Sequence, residues 1–268
     1  MGELEVPFLI NPQKNKITED VHVLLGCKTL KEAIKLKRAG KIKKLIAGPS
    51  ICLSPEECGG IFYSKEIDKI VFPSSWPKDY FVSIDPYFKD KIEIWPSGVK
   101  IPKTEGLKTK TERKIDFLIF NKLKDPLVTG RIINSISKKT KHYKIIDYGD
   151  FNQEEYVDLL KDTKTLVYVG KSESQGLALQ EAWAYNVPTL VYNFGYWKYG
   201  GYYWKSSDIN APYLSEKSGL LFKTNSELEH IIEGIDSEKI NFLPHLYCSE
   251  NLSDRKSAEI FLKIIRSI

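Results

Sequence analysis

Short apolar runs rich in β-branched residues alternate with helix-period patterns along most of the chain. The clearest repeat lies between residues 165 and 195, where Leu166–Val169 and Thr189–Tyr192 have the composition of buried strands. Between these two runs, the pattern from Leu177 to about Asn186 predicts a helix. Parallel neighbours need a crossover connection, so this strand–helix–strand unit predicts two parallel strands.

Similar units occur on both sides of the central one. Upstream, strands are predicted at 21–26, 44–47 and 67–72 and a helix at 29–39, and the short run Glu5–Ile10 is expected to be an edge strand or a docked arm. Downstream of residue 113, the pattern predicts strands at 115–120 and 143–146 and helices at 127–136, 154–160 and 254–268. This alternation predicts an α/β fold with parallel sheets.

The stretch from residue 103 to residue 113 is polar and has no apolar periodicity, as expected of a linker between domains. The 268 residues are enough for two compact domains. We therefore predict an N-terminal domain over residues 1–102, a linker over 103–113, a C-terminal domain over 114–252 and a C-terminal helix over 253–268.

The turn Gly170–Gly176 of the central unit has the character of an anion-binding site. It ends where the helix begins, and there unpaired backbone N–H groups and the helix dipole favour a phosphate. Glu173 lies in this turn and Glu181 lies about a turn and a half into the helix, so both carboxylates can face one crevice. Two acids beside a phosphate-sized site suggest hydrogen bonds to the hydroxyl groups of a sugar or ribose.

Glu173 and Glu181 frame the segment E-S-Q-G-L-A-L-Q-E-A-W-A-Y-N-V-P-T-L, which resembles the E-x7-E signature of retaining GT-B glycosyltransferases of family 4. Weaker likenesses follow the same order at 67–76, 91–99 and 217–235. The resemblance covers most of residues 67–235 and implies the GT-B fold, in which two Rossmann-like domains with parallel sheets face one another. It also implies an abbreviated N-terminal domain.

The resemblance assigns roles to the residues of the turn. It implies that the backbone of the turn holds the donor diphosphate, that Glu181 binds the nucleotide ribose, and that Glu173 lies beside the donor sugar. Relatives place basic residues after the first strand of the C-terminal domain to neutralise the diphosphate, and here this role falls to Lys122 or Lys124, with Arg131 beyond. The spacing departs from that of the family, and a solvated turn is the alternative interpretation of these lysines. The catalytic candidates are Glu173, Lys122 and Lys124, and the donor-binding candidates are Ser174, Gln175, Gly176, Leu177, Glu181, Gly149, Tyr148 and Arg131.

The segment Asn193–Pro212 is longer and more aromatic than the corresponding loop of that family. Tyrosine and tryptophan offer flat apolar faces with polar edges, which suit sugars, bases or partner surfaces. A mobile flap over the donor or an acceptor platform is one interpretation, and a loop that fills a groove left by the abbreviated domain is the other. The candidates for the first role are Tyr196, Trp197, Tyr202 and Trp204.

Composition adds few constraints. The net charge of +5 suits anionic small molecules such as sugar nucleotides and does not by itself indicate nucleic acid or a membrane. The lysine-rich stretches at 35–44 and 138–141 are interpreted as solvated helix ends, with a polyanion or acidic-lipid contact as the alternative. The chain has neither a secretory leader nor an apolar run long enough to span a membrane, so a cytoplasmic location is expected.

The four cysteines follow no metal-binding or disulfide pattern. They lack C-x-x-C spacing and neighbouring histidine pairs, so buried free thiols are predicted rather than a zinc site or a disulfide framework. No bound metal or other cofactor is predicted, and the nucleotide-diphosphate sugar, of UDP or GDP type, is a substrate. The cysteines are Cys27, Cys52, Cys58 and Cys248.

The predicted function is that of a metal-independent glycosyltransferase of the hexosyltransferase type. It would move a sugar from a nucleotide-diphosphate donor to an acceptor hydroxyl, with the retention of anomeric configuration that the resemblance implies. Two alternatives stay open: a non-catalytic glycan- or partner-binding module, and a GT-B nucleotide-sugar epimerase. The acceptor is unassigned and includes glycans and other large polymers such as nucleic acid, and a homo-oligomer that completes the site also stays open.

Overall fold

A computed structural model describes residue 4 and residues 21–24, 26–49 and 52–268. The predicted edge strand or arm Glu5–Ile10 lies outside the described residues. The described residues form two compact units, of which the first contains residues up to Gly98 together with Asp254–Ile268 and the second contains Val99–Ser253. The predicted linker, residues 103–113, therefore belongs to the second unit.

The first unit is built on a parallel sheet of four strands in the order β1-β2-β3-β4. Buried residues on its first helix follow the i, i+3, i+4 spacing of an amphipathic helix, with Leu30, Ala33 and Ile34 facing the core. The strands are β1 Val21–Leu24, β2 Lys44–Ala47, β3 Lys69–Phe72 and β4 Ile92–Ile94, and the helices are α1 Cys27–Arg38, the single turn α2 Glu57–Gly60 and α3 Ser75–Ile84.

The second unit is built on a parallel sheet of five strands in the order β11-β8-β7-β5-β6 and carries a separate antiparallel hairpin, β9–β10. Its strands are β5 Ile115–Asn121, β6 Tyr143–Asp147, β7 Thr163–Val169, β8 Thr189–Tyr192, β9 Tyr196–Tyr199, β10 Tyr202–Lys205 and β11 Gly219–Phe222. Its helices are α4 Pro126–Lys139, α5 Gln153–Asp162, α6 Leu177–Ala184, α7 Asn225–Asp236 and α8 Pro244–Asn251.

Both faces of this second sheet are covered by helices. Tyr156 of α5 and Trp183 of α6 are fully buried in the core on one face. Ile136 of α4 and Ile232 of α7 are buried in the core on the other face. A strand that is buried on both faces appears in the sequence as a continuous apolar run. This explains why the apolar runs of the sequence predicted these strands.

The last helix, α9 Asp254–Arg266, belongs to the first unit. Phe261 and Ile264 of this helix pack with Ile46 and Val71 of the first sheet. The ring of Trp95 stacks on that of Phe261 with 4.2 Å between centroids. The C-terminal helix therefore completes the core of the N-terminal unit.

Arg113, at the end of the predicted linker, is a buried cation in the second unit, 5% exposed. Its guanidinium donates to the backbone carbonyls of Thr163 at 2.6 Å and Tyr185 at 2.8 Å. Longer hydrogen bonds reach the carbonyls of Asn186 and Lys108. Arg113 thereby joins the start of β7 to the end of α6.

The prediction of four free thiols is wrong for two cysteines. Cys27 at the start of α1 and Cys58 in α2 form a disulfide. Cys52 and Cys248 are buried free thiols, as predicted. The paired cysteines are 31 residues apart in the chain, so no short spacing motif marks them.

No helix in the described parts of the chain has the length and apolar character that a membrane span requires.

We expect Arg113→Ala to lower the free energy of unfolding by about 2–4 kcal/mol, because the buried carbonyl of Thr163 and the partly buried carbonyl of Tyr185 lose a charged donor. Urea denaturation followed by circular dichroism measures this change. Lys139→Ala is the matched control in the same unit, because Lys139 forms an exposed pair with Glu233 and its loss should cost less than about 0.5 kcal/mol. Equal stability of the two variants would contradict the role assigned to Arg113.

Candidate functional site

The candidate site lies at the carboxyl edge of the second sheet, where β6, β5 and β7 are neighbours. The turn after β5 is tied to the end of β7, because the backbone N–H groups of Lys122 and Leu123 both donate to the carbonyl of Val169, at 2.9 and 2.8 Å. The turn after β6 is tied to β5, because the N–H of Tyr148 donates to the carbonyl of Asn121. Crevices at the carboxyl ends of parallel strands are the usual ligand sites of such sheets.

The Glu173 carboxylate accepts hydrogen bonds from Lys122, in the turn after β5, and from Tyr168, in β7. The ammonium of Lys122 lies 2.5 Å from its Oε1, and the hydroxyl of Tyr168 donates to the same oxygen. The same ammonium lies 4.8 Å from the centroid of the Tyr148 ring. The structure therefore brings together three of the predicted site residues, Lys122, Tyr148 and Glu173.

Tyr168 is a site residue that sequence reasoning missed. Its ring stacks on Phe120 with 5.2 Å between centroids. Burial is the main cause that raises the pKa of the Tyr168 phenol well above its ordinary value, and the nearby Glu173 carboxylate adds to it. The hydroxyl therefore stays protonated and acts as a hydrogen-bond donor. The only signal in the sequence is a tyrosine within an apolar strand, two residues before Gly170.

Gly170 makes room for this tyrosine. A Cβ at position 170 would lie 2.7 Å from Cε1 of Tyr168, closer than side-chain carbons approach one another. The absence of a side chain therefore lets the ring pass the backbone and reach Glu173.

The start of α6 has the features expected of an anion site. Gly176 precedes the helix with φ +76°, a left-handed conformation that favours glycine. Among the described residues, no side chain caps this end of the helix. Ser174 and Leu177 are exposed beside it, whereas Gln175 is buried and its carbonyl accepts a hydrogen bond from Gln180. Backbone N–H groups at such a terminus favour a negatively charged ligand.

Glu181 has a different hydrogen-bond partner from Glu173. The amide of Gln153, the first residue of α5, donates to its Oε1 at 2.7 Å. Burial raises the pKa of the Glu181 carboxyl, and the hydrogen bond from Gln153 opposes that rise. The two acids of the motif thus have different partners, and Gln153 could not be found from sequence because it lies on another helix.

Two predicted basic candidates have other contacts. The ammonium of Lys124 lies 3.6 Å from Asp150 in the turn after β6, which also contains Gly149. Arg131 is exposed on α4, and its carbonyl accepts a hydrogen bond from Asn225 at the start of α7. Lys122 is thus the basic candidate whose ammonium lies against Glu173.

The predicted aromatic flap is the hairpin β9–β10. Trp197 is buried, Tyr202 and Trp204 are half-buried, and Tyr196 is 40% exposed. Buried Asn210, which follows the hairpin, donates to the carbonyls of Gly170 and Lys171 and accepts from the N–H of Gly195. This side chain joins both ends of the hairpin segment to the turn that contains Glu173.

One group of cysteines has the composition of a metal site. The sulfur atoms of Cys27, Cys52 and Cys58 lie within 4.8 Å of one another in the first unit. Because Cys27 and Cys58 form a disulfide, they do not provide thiolate ligands in this state.

A cavity of about 170 Å³ lies at the opposite edge of the second sheet, near the amino ends of β5 and β7. Two of the cations that line this cavity have partners, since Arg113 donates to backbone carbonyls and Lys164 pairs with Asp116 at 2.8 Å. None of the predicted site residues lines this cavity.

The chain resembles solved structures of glycosyltransferases. The apo form of the lipopolysaccharide outer core galactosyltransferase WaaB matches 93% of this chain and 76% of its own, with a TM-score of 0.64 and 14% identity. The pneumococcal O-GlcNAc transferase GtfA, in complex with UDP and GlcNAc, matches 94% of this chain and 57% of its own, with a TM-score of 0.56 and 12% identity.

A variant of S. aureus TarM, in complex with Fondaparinux, α-GlcNAc-glycerol and UDP, matches 94% of this chain and 57% of its own, with a TM-score of 0.55 and 13% identity. The chain thus spans little more than half the length of two of these three proteins. The likeness confirms the predicted α/β fold of GT-B type. Neither a protein-family model nor a curated protein matches the sequence.

We expect Glu181→Gln to raise the melting temperature at pH 7. Burial raises the folded-state pKa of Glu181, so this group contributes stability that is present below its unfolded pKa of about 4.3 and is lost as the pH rises through the folded pKa. Neutral glutamine avoids that loss, so the two proteins should differ at pH 7 and converge below about pH 4.

Differential scanning fluorimetry between pH 3.5 and pH 8 measures this difference. Glu216→Gln, at an exposed position of the same unit, should have the same melting temperature as the wild type across this pH range. A lower melting temperature for Glu181→Gln at pH 7 would show that the charged carboxylate stabilises the fold.

Proposed function

We propose that this chain is a glycosyltransferase that moves a hexose from a nucleotide-diphosphate donor to an acceptor hydroxyl. The observation that supports this most directly is the 2.5 Å contact between Lys122 and Glu173 beside the uncapped start of α6. A cation and a helix terminus suit the leaving diphosphate, and a carboxylate beside them suits the sugar. The transferase names of WaaB and GtfA agree with this assignment.

The proposed donor is a UDP- or GDP-sugar, and UDP in the GtfA and TarM structures favours uridine. In this proposal, the backbone of Ser174–Leu177 holds the diphosphate and Glu181, oriented by Gln153, binds the ribose hydroxyls. The ring of Tyr148, which is 53% exposed and lies beside the ammonium of Lys122, stacks on the base in this proposal, in the turn that contains Gly149.

The proposed reaction transfers the sugar in one exchange of bonds and leaves negative charge on the diphosphate. The acceptor oxygen forms a bond to the anomeric carbon while the bond from that carbon to the β-phosphate oxygen breaks. The nucleoside diphosphate leaves with the electron pair, and the hydroxyl proton passes to the leaving phosphate oxygen. Lys122 and the start of α6 stabilise the charge on the diphosphate, so the proposal requires no metal ion.

Glu173 would position and polarise the donor sugar, with Tyr168 fixing the orientation of its carboxylate. Retention of the anomeric configuration is part of the proposal and follows from the E-x7-E resemblance. A cytoplasmic location also stays a prediction. The Cys27–Cys58 disulfide argues against it, because disulfides persist mainly in oxidising compartments.

We expect Lys122→Met to raise the Kd for UDP by about 10- to 100-fold, because the diphosphate loses a charge-assisted contact. Isothermal titration calorimetry with UDP, UDP-glucose, UDP-GlcNAc and GDP-mannose measures the effect. Lys124→Met is the matched control, since its ammonium faces Asp150, and it should change the Kd by less than about threefold. If the wild type binds none of the four ligands, the proposed donor site is wrong.

We expect Glu173→Gln to abolish most sugar transfer while the Kd for UDP stays within about threefold of the wild type, because the carboxylate acts on the sugar and not on the diphosphate. UDP release in the presence of a panel of saccharide acceptors measures turnover. Equal turnover in the variant would show that the Glu173 carboxylate takes no part in the reaction. Donor binding by the wild type without transfer to any acceptor would identify a non-catalytic binding module.

A further inference from the structure

The hairpin β9–β10 has two chemically different faces. Its strands pair antiparallel, with Tyr203 opposite Lys198 and Lys205 opposite Tyr196. Directly opposite residues point to the same side of a hairpin, and neighbours along a strand point to opposite sides. One side therefore contains Tyr196, Lys198, Tyr203 and Lys205, and we call it the Tyr–Lys face. The other side contains Trp197, Tyr199, Tyr202 and Trp204.

Burial differs between these two faces. Trp197 is buried and Trp204 is half-buried, so the tryptophan side packs against the protein. On the Tyr–Lys face, Tyr196 is 40% exposed, Tyr203 is 50% exposed, and both lysines are exposed. The hairpin is thus attached through its tryptophans, and its Tyr–Lys face presents Tyr196, Tyr203 and the two lysines to solvent.

The groups on the Tyr–Lys face are arranged as a platform. The rings of Tyr196 and Tyr203 stack with 5.8 Å between centroids and 29° between planes. The ammonium of Lys205 lies 5.9 Å from the centroid of the Tyr203 ring. The hairpin strands contain no acidic residue, so the charged side chains that they contribute to this face are those of the two lysines. Flat aromatic surface suits the apolar face of a sugar ring, and lysine suits a phosphate or carboxylate group.

The hairpin also has a fixed connection to the candidate site. The Asn210 amide donates to the carbonyls of Gly170 and Lys171 at 3.0 and 2.8 Å, and its oxygen accepts from the N–H of Gly195 at 3.1 Å. The N–H of Glu173 donates to the carbonyl of Ile209 at 2.7 Å. The base of the hairpin is therefore bonded to the turn that contains Glu173.

We propose that the Tyr–Lys face binds an anionic saccharide, one with phosphate or carboxylate groups, as the acceptor for the reaction proposed at Glu173. The proposal rests on the proposed function and specifies the acceptor class for that site. The positive charge and the paired rings both favour this ligand, since a neutral glycan would use the rings alone and a simple anion would use the lysines alone.

The test uses three saccharides of equal length: hexagalacturonate, a phosphorylated maltohexaose, and neutral maltohexaose. Microscale thermophoresis of the whole chain should give a Kd for at least one anionic probe that is about tenfold lower than that for maltohexaose. Lys198→Gln/Lys205→Gln should remove this preference, whereas Lys223→Gln/Lys239→Gln, at exposed positions of the same unit, should retain it.

The tyrosine component is tested separately. Tyr203→Ala should raise the Kd for the anionic probe by about tenfold, and Tyr203→Phe should keep it within about threefold, because stacking needs the ring and not the hydroxyl. The Kd for UDP should be the same in all these variants. Loss of anionic-saccharide binding with UDP binding intact thus separates this proposal from that of the donor site.

Three results would overturn the proposal. The first is an equal Kd for anionic and neutral probes, and the second is an equal loss in the two double-lysine variants, which would indicate a general charge effect. The third is a six-nucleotide single-stranded DNA that binds more tightly than either anionic saccharide, which would make the Tyr–Lys face a nucleic-acid surface. If UDP fails to bind the wild type, the donor site is wrong irrespective of the saccharide results.

Discussion

The position of the Glu173 carboxylate depends on the register of the second sheet. Its donors come from the ends of two adjacent strands, with Lys122 following β5 and Tyr168 lying in β7. Phe120 pairs with Tyr168 in the ladder, and their rings stack. Because a one-residue slip would turn every side chain of a strand to the other face, the parallel ladder itself determines the geometry of this site.

The other candidate groups extend from the same carboxyl edge. The uncapped start of α6 follows the Glu173 turn, the Gln153–Glu181 pair joins α5 to α6, and Asn210 joins the hairpin to the turn. The Gln153–Glu181 contact and the contact of Asn210 with Gly170 link elements that are distant in sequence. The site is therefore a product of the fold of the second unit and not of the short motif alone.

The sequence predicted the elements of this site better than their contacts. The unit β7-α6-β8 followed from its apolar runs and helical period, and the turn followed from its glycines and acids. The contact between Lys122 and Glu173 spans 51 residues, and the Cys27–Cys58 disulfide spans 31, so neither has a local signal. The hairpin had one: two alternating aromatic runs around Gly200–Gly201 are typical of a two-residue turn. Its length, glycines and aromatic residues also suggest the flap or acceptor platform, which stays a prediction.

The space that Gly170 leaves for Tyr168 links two positions that are not adjacent in the chain. A chain with an aliphatic residue at 168 would tolerate a side chain at 170, but one with tyrosine at 168 requires glycine there, because a Cβ would lie 2.7 Å from the ring. A side chain at 170 therefore requires a residue other than tyrosine at 168, whereas a change at 168 alone leaves glycine at 170 acceptable.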